Sequence, residues 1–175
     1  EAGKGSTFHF TIQVGEVAVT APPESAGVSR LAGVSIMIVD DNATNRRILK
    51  DSVLRWKMCP TVVESAEAAF QVLLRARASG AELPLVLTDA HMPEIDGFGL
   101  VERIRHEPAF SNLRIVLLTS GGERGDAIRC QKLGIAAYLK KPFDRLELRD
   151  VLLRVLADEQ VRPVKGSLGT RHTVQ

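Results

Sequence analysis

Residues 34–42 read VSIMIVDDN, a short and nearly continuous apolar run that stops abruptly at two aspartates. Such a run is too short for a buried helix and suits a strand covered on both faces, as strands of parallel sheets are. The same pattern recurs downstream. LVLT (85–88) runs into Asp89, and RIVLL (114–118) runs into Thr119, while Thr61–Glu64 and Ala136–Leu139 are weaker strand candidates. Helical spacing fills the gaps. Thr44–Trp56 sets Ile48, Val53 and Trp56 on one stripe after Asn42 as a cap, and Ala66–Ala78 is rich in alanine and leucine. Gly99–His106, Asp126–Leu133 and Asp144–Leu156 complete the series, the last with Leu146, Val151, Leu152 and Leu156. Strand–helix alternation of this kind predicts an α/β fold: a doubly wound, five-stranded parallel sheet with right-handed crossovers and helices on both faces.

The texture changes on either side. Residues 1–29 are rich in Gly, Pro and Ser, broken by the alternating stretch Thr7–Val14 (TFHFTIQV), and residues 159–175 turn polar around Pro163, Gly166 and Gly169. These read as linkers around one domain, 30–158. The 23 basic and 21 acidic residues leave a net charge of +2 without any Lys/Arg cluster, which argues against a nucleic-acid surface. Cys59 and Cys130 lack paired spacing, so neither a zinc site nor a disulfide framework is expected; both read as reduced, half-buried thiols. No apolar run approaches the roughly 20 residues that span a bilayer. A cytoplasmic domain is expected, whose parent chain could be anchored in a membrane by another part.

In an open parallel sheet, sites form at the carboxyl ends of strands. Asp40 and Asp41 close the first strand, Asp89 the third and Thr119 the fourth, and Lys141 follows the fifth. Three carboxylates on one rim repel one another and call for a cation. All-oxygen donors with room for water and phosphate oxygens suit Mg2+ better than a calcium cage. A carboxylate left free to react can attack phosphorus and form an acyl phosphate. Such a transfer mainly needs its equatorial oxygens positioned and neutralised, for which the Lys141 ammonium and Thr119 hydroxyl are suited. Pro142 restricts the backbone of Lys141 and holds it at the strand end.

The strings VDDN (39–42), DAHMPEIDG (89–97), LLTS (117–120) and YLKKPF (138–143) resemble the receiver domain of response regulators and hybrid histidine kinases, over roughly Val34 to Asp158. The resemblance implies the flavodoxin-like strand order 2-1-3-4-5 and makes Asp89 the phosphoacceptor. It implies that Asp41 is a direct magnesium ligand, that Asp40 binds directly or through water, and that the His91 backbone carbonyl completes the protein's share. It gives Thr119 and Lys141 contacts to the phosphoryl group and makes Thr119 and Tyr138 a switch pair. Their movement would reshape the face built from the fourth helix, fifth strand and fifth helix. The implied partner is a histidine kinase or phosphotransfer domain carrying a phosphohistidine, or other domains of the same chain; no membrane or direct nucleic-acid contact is implied. Gly3–Ile12 (GKGSTFHFTI) looks like the last strand of a histidine kinase ATP-binding domain, without that domain's glycine-rich boxes. Gly169–Gln175 (GTRHTVQ) is similar to the segment that introduces another receiver. Both are expected of an internal piece of a hybrid histidine kinase.

Each of these residues also has an ordinary reading. Asp41 with Asn42 could cap a helix, Asp89 could be a turn residue before Pro93 and Asp96–Gly97, Lys141 could be solvated, and Thr119 could be a loop hydroxyl. Four such coincidences on one rim are far less economical than one site. A haloacid-dehalogenase-type phosphatase needs DxDxT, but DDNAT (40–44) puts Asn42 where the second aspartate is required. A flavin site would need a phosphate-cradling loop where two aspartates stand. A receiver-like interaction module that is never phosphorylated is the remaining alternative.

Overall fold

Each apolar run becomes a strand in the computed structural model, which describes residues 11, 28–121, 126–157 and 164–165. The strands are β1 (Ser35–Val39), β2 (Cys59–Val63), β3 (Leu85–Asp89), β4 (Arg114–Thr119), β5 (Ala137–Lys140) and the two-residue β6 (Val164–Lys165). All neighbours are parallel, in the order β2-β1-β3-β4-β5-β6. The expected five-stranded 2-1-3-4-5 core is therefore present. β6 falls in the stretch read as linker, where Val164 and Lys165 pair with Ala137 and Tyr138 along an edge that β5 would otherwise leave bare.

The helices are α1 (Val28–Leu31), α2 (Ala43–Arg55), α3 (Ala66–Ala78), α4 (Gly97–His106), α5 (Asp126–Lys132) and α6 (Arg145–Ala157). Side chains alternate across each strand, so β1 sends Met37 and Val39 to one face and Ile36 and Ile38 to the other. The first face packs under α3, α4 and α5 through Phe70, Leu73, Leu100, Ile104 and Cys130. The second packs under α1, α2 and α6 through Leu31, Leu49, Val53, Leu148 and Leu152. Between α3 and α4, Arg103 donates to Glu67 and lies 4.0 Å from the centre of the Phe70 ring. That guanidinium, helped by the Gln71 amide, holds the Glu67 carboxyl below the usual carboxylate range.

Three details differ from expectation. Ile48 is 59% exposed, because the inward stripe of α2 runs through Leu49, Val53 and the capping Trp56, one position round the helix. Leu146 is likewise 47% exposed, and α6 buries Leu148 and Val155 beside the expected Val151 and Leu152. The two cysteines are not alike, since Cys59 is exposed at the start of edge strand β2 and Cys130 is buried. The proposed strand Thr7–Val14, apart from Thr11, and the segment Gly169–Gln175 lie outside the described residues.

Candidate functional site

The carboxyl ends of β1 and β3, adjacent in the sheet, bring the acidic residues together. Asp40, Asp41 and Asp89 each offer an oxygen within 4.8 Å of the others, the one such group of His, Cys, Asp or Glu among the described residues. Asp40 is fully buried and Asp89 nearly so, while Asp41 is exposed at the mouth. Lys141, just past β5, reaches between them. Its Nζ lies 2.9 Å from Asp89 Oδ2 and 3.4 Å from Asp40 Oδ2. Its backbone N–H donates to the Thr119 carbonyl at 2.7 Å, which ties this loop to the end of β4.

The buried carboxylate of Asp40 is well served. Its Oδ1 accepts from the Asn42 N–H at 2.8 Å, and the Asn45 amide donates to both of its oxygens at 3.2–3.3 Å. Asn42 in turn caps α2 by accepting from the N–H groups of Thr44 and Asn45. The capping role and the acidic site thus coexist in one loop. Asp41 has no hydrogen bond to its carboxylate among the described residues; its main-chain carbonyl and that of Asp40 accept from Arg46 Nη1 at 2.9 and 2.8 Å.

Asp89 is fixed from below. Its Oδ1 accepts from the His91 N–H at 3.4 Å, and α4 starts directly against its main chain. A Cβ on Gly97 would stand 2.1 Å from the Asp89 carbonyl oxygen, so only glycine permits this approach. His91 itself is exposed. Thr119 is 3% exposed, and its hydroxyl donates to the Gly121 carbonyl at 2.6 Å, turned into its own loop. Tyr138 sits mid-strand in β5, half-buried against the face that carries α3, α4 and α5.

All five chemistry-bearing residues expected from the sequence share this rim. Asn45, Arg46 and the close approach at Gly97 were not foreseen. The first two follow Asp40 at one to two helical turns, a spacing that a capped helix beginning at Ala43 folds back over its own loop. A groove of about 760 Å3, whose lining includes Leu54, Met58, Pro60, Val72 and Leu83, lies at the other end of the sheet and includes none of these residues.

The family model described as "Response regulator receiver domain" matches residues 36–153. Among curated proteins, the chain is 33% identical over 147 residues to Response regulator Rre1 of Synechocystis, covering 77% of this chain and 56% of that protein. It is 32% identical over 123 residues to Chemotaxis protein CheY1 of Helicobacter pylori, covering 70% of this chain and 97% of that one. The chain thus spans just over half of Rre1 and almost all of CheY1. Among solved structures, the signal receiver domain of a signal transduction histidine kinase from Syntrophus aciditrophicus superimposes with a TM-score of 0.63. It is 25% identical and covers 71% of this chain and 91% of that one.

Proposed function

Since the chain belongs to the response regulator receiver domain family, we propose that it accepts a phosphoryl group from a phosphohistidine onto Asp89, in a magnesium-dependent step. The observation that carries this reading is the convergence of Asp40, Asp41 and Asp89, with the Lys141 ammonium bridging the first and the last. The three carboxylates fit the metal by donor chemistry: hard oxygens from few residues, one of them at an open mouth. Asp40, Asp41, Asp89 and the His91 carbonyl would hold Mg2+, which supplies charge neutralisation to the phosphoryl oxygens when bound.

The chain's own residues do the rest. An Asp89 carboxylate oxygen attacks phosphorus, and the P–N bond to the donor imidazole breaks with its electron pair returning to the ring nitrogen. Lys141 leaves its bridge between Asp40 and Asp89 to pair with a phosphoryl oxygen. The Thr119 hydroxyl turns from the Gly121 carbonyl and donates to another. Tyr138, one strand over, follows that turn, and the face of α5, β5 and α6 takes a second shape. The donor is a histidine kinase or phosphotransfer domain, and the output passes through a phosphorelay or other domains of the same chain.

We place this receiver inside a cytoplasmic part of a hybrid histidine kinase, with residues 1–29 and 159–175 as linkers. Two things support that placement: the motifs at its flanks, and a structural relative that is itself named as a receiver domain of a histidine kinase. No described helix is long and apolar enough to cross a membrane. The test is intact-mass measurement of the purified chain with a small phosphodonor, with and without magnesium, beside Asp89→Asn. A single adduct that needs magnesium and is lost in the variant is expected. An unmodified parent chain that nonetheless binds magnesium would point to a receiver restricted to its own donor. Loss of both properties would favour an interaction module that is not phosphorylated.

A further inference from the structure

We propose that Arg46 is a positioning residue for the acidic triad and sets its affinity for a divalent cation through the backbone of Asp40 and Asp41. The inference rests on the reading of the triad as a magnesium site. Asp40 is held through its side chain by the Asn42 N–H, the Asn45 amide and Lys141. Asp41 has no such support, so its carboxylate goes where its main chain goes. The two carbonyls of that main chain share one guanidinium nitrogen as their donor. Arg46 Nη1 donates to the carbonyls of Asp40 and Asp41 at 2.8 and 2.9 Å.

The guanidinium is itself constrained from both ends. Arg46 lies in the first turns of α2, its N–H bonded to the Asn42 carbonyl at 3.0 Å, so the stem starts from a capped helix. Its Nη2 stands 3.6 Å from Glu64 Oε2 at the end of β2, and the Arg46 side chain is only 20% exposed. A planar fork satisfies two carbonyls and a carboxylate at once, which a lysine ammonium on a flexible stem does not reproduce. Groups one step removed from a metal commonly change its affinity by about 10–100-fold when lost.

Charge and geometry make opposite forecasts. On electrostatics alone, removing a cation beside three carboxylates strengthens binding of a divalent ion. On positioning, removing it weakens binding, because Asp41 loses its anchor. Magnesium titration by calorimetry on the full chain, with melting in EDTA as the control for folding, separates them. Arg46→Met is expected to weaken magnesium binding about tenfold or more. Arg46→Lys, which keeps the charge and is the milder change for folding, is expected to lose a large part of the same affinity. Glu64→Gln, which leaves both carbonyl contacts in place, is expected to stay within about threefold of the parent. Tighter binding in Arg46→Met, or parent-like affinity in a variant that only melts earlier, would overturn the proposal. A parent chain with no magnesium isotherm would instead remove the metal reading beneath it.

Discussion

At the scale of the residue, the position of Lys141 forces a neutralising duty on it. Without a cation, its ammonium is the group that neutralises buried Asp40 and nearly buried Asp89 at 3.4 and 2.9 Å. Removing one partner of a buried ion pair costs more than the pair contributes, because the remaining charge stays desolvated. Lys141→Met is therefore expected to destabilise the chain by about 2–3 kcal/mol in EDTA. Saturating magnesium should recover part of that loss, since a second cation reaches the same carboxylates. Urea unfolding of parent and variant, each with EDTA and with magnesium, measures both effects, and equal stability in EDTA would deny Lys141 the neutralising role. The residues of this rim were legible in the sequence because each follows an apolar run. Arg46 was not, because its contribution passes through carbonyl oxygens that every residue possesses. Asn45 was hidden likewise: an amide in the first turn of a helix is ordinary until the fold puts a buried carboxylate beside it.

At the scale of the element, the decisive contact is the start of α4 against the end of β3. Asp96 caps this helix by accepting from the Gly99 N–H at 2.6 Å, and the Gly97 N–H donates to the Ala90 carbonyl at 3.0 Å. The helix thus begins pressed on the peptide that carries Asp89. A methyl at Gly97 would meet the Asp89 carbonyl oxygen at 2.1 Å and its carbon at 2.9 Å, both main-chain atoms that yield only if the strand end moves. A methyl at Gly99 meets side-chain atoms, Ile95 Cγ2 at 3.1 Å and Asp96 Oδ1 at 3.2 Å, which can shift slightly. Gly97→Ala is expected to cost about 1–3 kcal/mol and to lower the yield of the phosphoryl adduct. Gly99→Ala should keep the adduct, and its helix propensity gain offsets the tighter fit. Equal labelling of the two variants would mean that Asp89 does not depend on this packing. Element types and their approximate bounds were readable from apolar runs and capping residues, as at Asn42 and at Ala66–Ala78. The buried stripe was not, at Ile48, because an isoleucine next to the inward Leu49 gives nearly the same period, nor at Leu146, which precedes the first buried residue of α6 by two positions. A shift of one residue rotates a helix face by about 100°.

At the scale of the whole molecule, the two ends of the sheet do different work. The carboxyl ends gather Asp40, Asp41, Asp89, Thr119 and Lys141 on one rim, and the strand order that brings them together follows from the alternation of apolar runs and helices. The amino-terminal end of β4 and β5 is held by a residue that no motif announced. Arg105, at the end of α4, donates to the carbonyls of Phe110, Leu113, Leu133 and Gly134 at 2.9–3.1 Å. One guanidinium thereby joins α4, the turn leading into β4 and the turn leading into β5. Partial burial lowers its pKa from the ordinary arginine value, because desolvation disfavours the charged form. Its function in the fold is legible only from the structure, since arginines near helix ends are common and usually solvated. Because the staple and the acidic rim sit at opposite ends of the strands, stability and metal binding are expected to be separable. Arg105→Met keeps the stem but leaves partly buried carbonyls without donors, and is expected to cost about 2–4 kcal/mol. The folded variant should still bind magnesium with parent-like affinity and take a single phosphoryl adduct at Asp89. Urea unfolding, run beside magnesium titration at low temperature, measures the two properties on one sample. Parallel loss of both would show that the far end of the sheet governs the geometry of the rim; loss of stability alone would establish that the rim is built by its own loops.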